Sequence, residues 1–539
     1  MGEEHSPPDP STPQHAGTEQ ARSELEEYLT VRRHRRRLFP RAAVVGMVAG
    51  IIASLFRALL AGGDALRHSI LLWAHSVPAW GWLIPMIFTA TCATTAVLLV
   101  RHYAPEASGS GIPHIEAVLR RFRDLRWERV LPIKLVGGVL AISSGLALGR
   151  EGPTVQLGGS VGAAVASWWK LSTFDRLILT SAGAGAGLAA AFNAPLSGVV
   201  FVLEELQRDF RPAVFGSAFI AAAVADIVAR LVSGQLPVFL IPSYPIQPLG
   251  AIPAFALLGL IMGLAGVIYN RTLLWTITQM ARPRQRHTIM IVACVGAGVG
   301  LIAWFAPLAA GGGHELTELA LAGQLALITL PLWFIVRFLL TMISYGTGAP
   351  GGIFAPLLSL GALLGLGVGY LADLIIPNQI TNPAVFAVVG MAAYFTAIVR
   401  APLTGIVLIL EMTGNYQQML PLLVSCFCAY ATAEALSSLP IYEALLERDL
   451  QRQQPRVTLK EPLVIELEVQ PGAPFDGRLV RDLRLPAGLI LIRIVDGPAE
   501  WVPVASTRLQ AHMRVTAVIA PEAIDGLTIL REGFSSAEQ

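Results

Sequence analysis

Apolar residues along this chain are gathered into long blocks, and the blocks are of uneven length. Those at 41–62, 80–100, 252–270 and 288–306 are each long enough for a helix that crosses a bilayer, which needs about 20 residues. Others, at 109–119, 149–165, 195–206 and 350–372, are short and broken by Gly and Pro. Broken backbone at membrane depth has to line a cavity or a site, because lipid cannot satisfy free N–H and C=O groups. The first 30 or so residues are polar and Pro-rich and lack the apolar run of a signal peptide. Residues 449–461 read as a polar linker. Beyond them the period changes to two, with strands expected at 464–469, 489–495 and 515–519 and a turn at Asp496-Gly497. A small α+β domain is therefore expected over 462–525, with a disordered tail over 526–539.

The apolar region is duplicated. Ala194-Pro195-Leu196-Ser197-Gly198 through Glu204 aligns with Ala401-Pro402-Leu403-Thr404-Gly405 through Glu411, and Pro153, Leu157 and Gly158 align with Pro356, Leu360 and Gly361. Two ordered matches at nearly one offset indicate two halves, at about 38–235 and 250–448. Paired, interrupted segments in the two halves of a membrane protein point to a transported substrate.

Composition agrees with a polytopic membrane protein: 54% hydrophobic, 14% charged and a mean hydropathy of +0.59, against about 25% charged in soluble domains. A net charge of +2 does not imply nucleic acid as a partner. Arg32, Arg33, Arg35, Arg36 and Arg37 precede the first apolar run, which places the N-terminal tail (1–37) in the cytoplasm by the positive-inside rule. Basic groups at 120–129, 170–176 and 282–286 are assigned to the same side. Cys92, Cys294, Cys426 and Cys428 lie in apolar runs and read as small buried hydrophobes, with no disulfide framework or metal cluster. No nucleophile–base pair suggests an enzyme.

Candidate chemistry sits at the breaks. In Gly149-Arg150-Glu151-Gly152-Pro153, Pro153 suits a first helical turn, and small residues let a ligand approach the free N–H groups there. Such a terminus attracts anions. Glu151 can place its own carboxylate in that position, compete with a free anion while ionised, and withdraw when protonated. The same residue at an ordinary helix end would be a cap worth about 0.3–1 kcal/mol; within an apolar stretch, function is the default reading. Gly351-Gly352-Ile353-Phe354-Ala355-Pro356 offers a second N-terminus without a carboxylate, and Gly109-Ser110-Gly111-Ile112-Pro113 presents the Ser110 hydroxyl as a neutral donor. Neutral donors suit an anion that must also leave.

These three motifs, in this order, resemble the CLC family of chloride channels and proton/chloride antiporters. The resemblance implies an all-α membrane domain over 38–448 with two inverted repeats and about 18 helices, many short or tilted. It also implies a homodimer in the cell (inner) membrane with one pathway per subunit and both termini cytoplasmic. Carried over by position, Ser110 and Tyr442 donate hydroxyls to chloride, and the N–H groups of Ile353 and Phe354 complete the site. Glu151 resembles the external gating glutamate, flanked by Arg150 and Gly152. Glu205, beside Glu204, resembles the internal proton-transfer glutamate of antiporters. Lys134 matches a family lysine, while His114 stands where many relatives carry an acid and Glu116 follows it. Proton-coupled chloride antiport is the implied function, with a passive anion channel of the same fold as the alternative. The segment 462–525 resembles the TrkA-C (RCK-C) module, a βαββ-type sensing unit, for which a small nucleotide-like ligand is implied.

Overall fold

The computed structural model describes residues 13–282, 285–377, 379–452, 462–497, 499–520, 523 and 526–535. Most of the expected linker, from 453 to 461, lies outside them. The chain divides into two compact units at residues 447/448.

The first unit is helical throughout. Its first half holds α1 (Pro13–His75), α2 (Leu83–Tyr103), α3 (Ile112–Leu119), α4 (Trp127–Ser143), α5 (Glu151–Trp168), α6 (Thr173–Phe192), α7 (Pro195–Phe201) and α8 (Pro212–Ser233). The second half holds α9 (Ile252–Ala281), α10 (Gln285–Phe305), α11 (His314–Leu321), α12 (Leu330–Gly346), α13 (Phe354–Ile375), α14 (Val385–Val399), α15 (Pro402–Thr413) and α16 (Met419–Ala435), and α17 (Ile441–Arg452) follows. Seven described helices are long and apolar enough to cross a membrane. α1 starts at Pro13, so the described part of the expected N-terminal tail is already helical backbone.

The eight helices of each half correspond in order, and contacts between halves pair counterparts: α2 with α10, α5 with α13, α7 with α15. A surface that contacts its own equivalent is the mark of twofold symmetry. Within each half the pair that carries the site packs through small residues. A Cβ on Gly158 of α5 would strike the Gly183 carbonyl of α6, and one on Gly361 of α13 would strike the Gly390 carbonyl of α14. Close backbone approach of this kind is how helices associate in lipid. α6 and α14 both end on a left-handed residue, Asn193 (φ 53°) and Arg400 (φ 70°). An Ala-Pro then starts α7 or α15 with proline at its first turn.

The second unit is a four-stranded antiparallel sheet, order β1-β4-β2-β3, of β1 (Leu463–Glu468), β2 (Leu489–Asp496), β3 (Ala499–Trp501) and β4 (Arg514–Ile519). It departs from the βαββ expectation. Between β1 and β2 there is only a 3₁₀ turn, Val480–Asp482, since Pro471, Gly472, Pro474, Gly477 and Pro486 interrupt any helix there. The helix instead follows the last strand, as α18 (Gly526–Phe534). The expectation of disorder over 526–539 is thereby corrected for the described residues 526–535, while 536–539 lie outside them: Leu527, Leu530 and Phe534 recur at three- and four-residue spacing on one face. Leu530 and Phe534 are buried in the domain core, where Phe534 meets Phe475 edge-on at 5.5 Å.

Candidate functional site

The three interrupted motifs meet at helix N-termini. Gly149 and Gly352 exchange both backbone hydrogen bonds, each at 2.7 Å, which locks the start of α5 against the start of α13. Gly351 N–H donates to the Gly109 carbonyl at 3.0 Å, joining the first motif to the third. Gly152 lies so close to Ser110 that a Cβ there would strike the Ser110 hydroxyl. A larger residue at 152 would close the space beside Ser110.

Glu151 opens α5 and is buried. Its Oε2 accepts from the Ala355 N–H at 3.3 Å, in the first turn of α13. The carboxylate of one half therefore occupies the N-terminus of the other. Ile353, the N-cap of α13, and Phe354 after it are both fully buried; as first-turn groups their N–H bonds have no acceptor inside the helix. The Phe354 ring is held between Phe192 (5.5 Å) and Phe395 (4.6 Å).

Ser110 and Tyr442 are buried, and neither hydroxyl has a hydrogen-bond partner among the described residues. An orphaned buried hydroxyl costs about 1–3 kcal/mol, so each of these two is a donor without an acceptor among the described residues. The Tyr442 phenol lies within electrostatic reach of Tyr345, Glu205, Glu116 and Glu151. Next to it Glu443 forms ion pairs with Arg208 at 2.5 Å and Arg120 at 3.4 Å, tying α17 to the ends of α7 and α3.

The two adjacent acids part company at the end of α7. A π turn over Val202–Leu206 carries both; such turns insert one residue into the helical register and recur at functional sites. Glu205 points inward and is buried. Glu204 turns across the repeat and accepts from Leu403 N–H (3.0 Å), Thr404 N–H (2.7 Å) and the Thr404 hydroxyl (2.7 Å) at the start of α15. Glu411 does the reverse, accepting from Leu196 N–H (3.1 Å), Ser197 N–H (2.7 Å) and the Ser197 hydroxyl (2.5 Å) at the start of α7. Glu204 is thus a cap for the opposite half, as is Glu411.

Lys134 of α4 is fully buried and donates to the carbonyls of Gly109 (2.6 Å) and Ala107 (2.9 Å), bracing the loop that carries Ser110. Its counterpart is Arg337 of α12, equally buried, which donates to Gly311 (2.7 Å) and Ala309 (2.8 Å) before α11. Arg337 was legible only as the residue that follows Lys134 at the repeat offset. His114 Nδ1 meets the Gln156 amide at 3.1 Å, and that amide also donates to Glu106 O. Glu116 is buried, and its carboxyl lies within hydrogen-bonding reach of the Glu205 carboxyl, a contact that a single shared proton would satisfy. Arg150 donates to Ala191 O at 3.4 Å. Among the described residues no group of three or more His, Cys, Asp or Glu could hold a metal.

Comparison with known proteins agrees with this geometry. Residues 92–434 match the family model described as voltage gated chloride channel, and residues 464–528 match the TrkA-C domain. An H(+)/Cl(-) exchange transporter ClcA of Vibrio parahaemolyticus is 41% identical over 422 residues, covering 76% of this chain and 89% of the relative. The ClcA of Citrobacter koseri is 39% identical over 418 residues, covering 76% and 88%. The crystal structure of a slow cyanobacterial Cl-/H+ antiporter superposes with a TM-score of 0.75 at 38% identity, covering 77% of this chain and 99% of that one. The chain belongs to the voltage-gated chloride channel (CLC) family and carries a TrkA-C domain at its C-terminal end.

Proposed function

We propose that this protein exchanges chloride for protons across the cell membrane. The observation that carries the reading is the position of Glu151, a carboxylate seated on the N-terminus of α13 next to two unpartnered buried hydroxyls. Chloride binds between the hydroxyls of Ser110 and Tyr442 and the N–H groups of Ile353 and Phe354. Ionised Glu151 occupies the neighbouring position, because the helix terminus stabilises negative charge. A proton removes that charge, the side chain leaves, and the anion advances. Glu205, buried on the π turn, is the second proton station on the opposite side of Tyr442. Its counterpart in the second half is Met412, so the acid pathway belongs to one half. A passive channel has no need of that second buried acid, which favours exchange.

The native unit in this reading is a homodimer with both termini in the cytoplasm. α7 and α15 are too short to span lipid, yet they expose Leu196 and Leu403 beside the half-buried Glu204 and Glu411; a second copy covers them. The tail senses a small ligand. A cavity of about 340 Å³ there is lined by Arg478, Arg481 and Arg484 with Asp482, chemistry that suits a phosphate-bearing, nucleotide-like molecule.

The test is transport by the full-length protein in liposomes. A chloride gradient is expected to drive protons the opposite way against their own gradient. Chloride movement without any proton movement would replace the exchanger with a channel.

A further inference from the structure

Glu443 stands next to Tyr442 in the first turn of α17 and has no part in the exchange steps given above. It nevertheless joins the elements that carry them. Its Oε1 lies 2.5 Å from Nη1 of Arg208, just past the π turn of Glu205, and 3.4 Å from Nη2 of Arg120, the C-cap of α3. This triad is open to solvent, with side-chain exposures of 26% for Glu443, 47% for Arg208 and 36% for Arg120. The acids behind it are closed off: Glu205 is 2% exposed and Glu116 of α3 is 0% exposed.

The Glu116 and Glu205 carboxyls lie within hydrogen-bonding reach of each other. Ionised carboxylates only accept, so that contact needs one proton and leaves one negative charge on the pair. The local charges then balance. Arg120 and Arg208 bring two cations, and Glu443 and the singly protonated pair bring two anions. Other charged groups on the elements around the turn are engaged elsewhere. Glu204 caps α15, Asp209 pairs with Arg211, and Asp226 pairs with Arg230 on α8. On α6, Asp175 and Arg176 lie in the first turn, with Arg176 donating to Leu125 O, and His114 of α3 meets Gln156.

Arg208 is within electrostatic reach of both buried acids, yet its guanidinium is committed to Glu443. A cation facing a carboxyl favours its ionised form. Without Glu443, both arginines would draw the shared proton off the pair. The competing account is a staple that ties α17 to α3 and the π turn. Exposed ion pairs contribute little to stability, which leaves the convergence of two arginines on one carboxylate unexplained.

We propose that Glu443 is a positioning residue for proton exchange, holding Arg208 and Arg120 away from the Glu116–Glu205 pair so that the pair keeps one exchangeable proton. The inference rests on the exchange reading, in which Glu205 carries the proton.

Infrared difference spectroscopy of the full-length protein reads the pair directly, through the carboxylic C=O band that disappears in Glu205→Gln. In Glu443→Gln the pair faces two cations with one anion fewer, and the midpoint of that band falls by about one pH unit. In Arg208→Gln a cation is lost and the midpoint rises. The double variant returns toward the unaltered value, and Glu443→Asp stays near it. Unmoved midpoints in both single variants, with only a lower melting temperature, are the mark of a staple and overturn the proposal. If Glu443→Gln does not fold, Arg208→Gln decides alone: a raised midpoint supports the proposal and an unmoved one overturns it. An unaltered protein without a band sensitive to Glu205→Gln holds no proton on the pair, which also overturns it. Absence of proton-coupled chloride transport by the unaltered protein contradicts the exchange reading itself, whatever the band does.

Discussion

Gly149 and Gly352 donate to and accept from each other at 2.7 Å in both directions, and this reciprocal pair sets the distance between the N-termini of α5 and α13. Glu151 reaches Ala355 because of it. A Cβ on Gly149 would lie 2.9 Å from Ala355 N and would strike Glu151 Oε2. Gly149→Ala is therefore expected to push the carboxylate off the α13 terminus. In liposomes the variant should leak chloride with a severalfold smaller proton count per chloride. Unaltered coupling would show that Glu151 does not depend on that seat.

Tyr442→Phe and Ser110→Ala each remove one orphaned donor. A hydrogen bond to a charged partner contributes about 1.5–3 kcal/mol, so each variant should bind chloride at least about tenfold more weakly. Isothermal titration calorimetry in detergent reads this directly. Equal affinity in both variants would move the anion away from these hydroxyls.

Glu205→Gln keeps the size of the side chain and removes its proton chemistry. Chloride flux should persist while proton flux falls to background. Retained proton pumping would take Glu205 out of the pathway and leave the buried Glu116 nearby as the group to examine.

Glu204→Ala and Glu411→Ala test the reciprocal caps. Each loses three accepted hydrogen bonds, and loss of such a cap costs about 1–3 kcal/mol. Both variants should melt earlier in detergent, by similar amounts, while the proton-to-chloride ratio stays that of the unaltered protein. Loss of coupling in Glu204→Ala with normal stability would make Glu204 a proton carrier.

Much of this arrangement could be read before any coordinates. The duplicated Ala-Pro segments, the Gly/Pro breaks and Glu151 announced two halves and a helix-terminus site, because those features are local and carry their geometry in the residue type. What stayed hidden depends on contacts across the repeat. Glu204 and Glu411 align with each other in sequence, but alignment does not say that each caps the other's helix. Lys134 and Arg337 play one part with different side chains, so type alone separates them. Arg57 sits in an ordinary apolar run, and its contact with Asn193 at the end of α6 becomes visible only in the fold. In the tail, α18 was missed because nine residues are too few for periodicity to stand out against a polar terminus; its helix depends on burying Leu530 and Phe534 against the sheet.

The pH response follows from the gate. Ionised Glu151 competes with the anion and protonated Glu151 does not, so lowering pH relieves the competition. Turnover should rise as pH falls through the titration of Glu151, and Glu151→Gln should be fast and flat.

The central claim, that one carboxylate couples the two ions, is tested most directly by the reversal potential of the reconstituted protein under a fixed chloride gradient at different pH gradients. The account predicts a reversal potential that shifts with the pH gradient in the unaltered protein and depends on chloride alone in Glu151→Gln. A reversal potential that is pH-independent in the unaltered protein, or that still shifts with pH in Glu151→Gln, would contradict it.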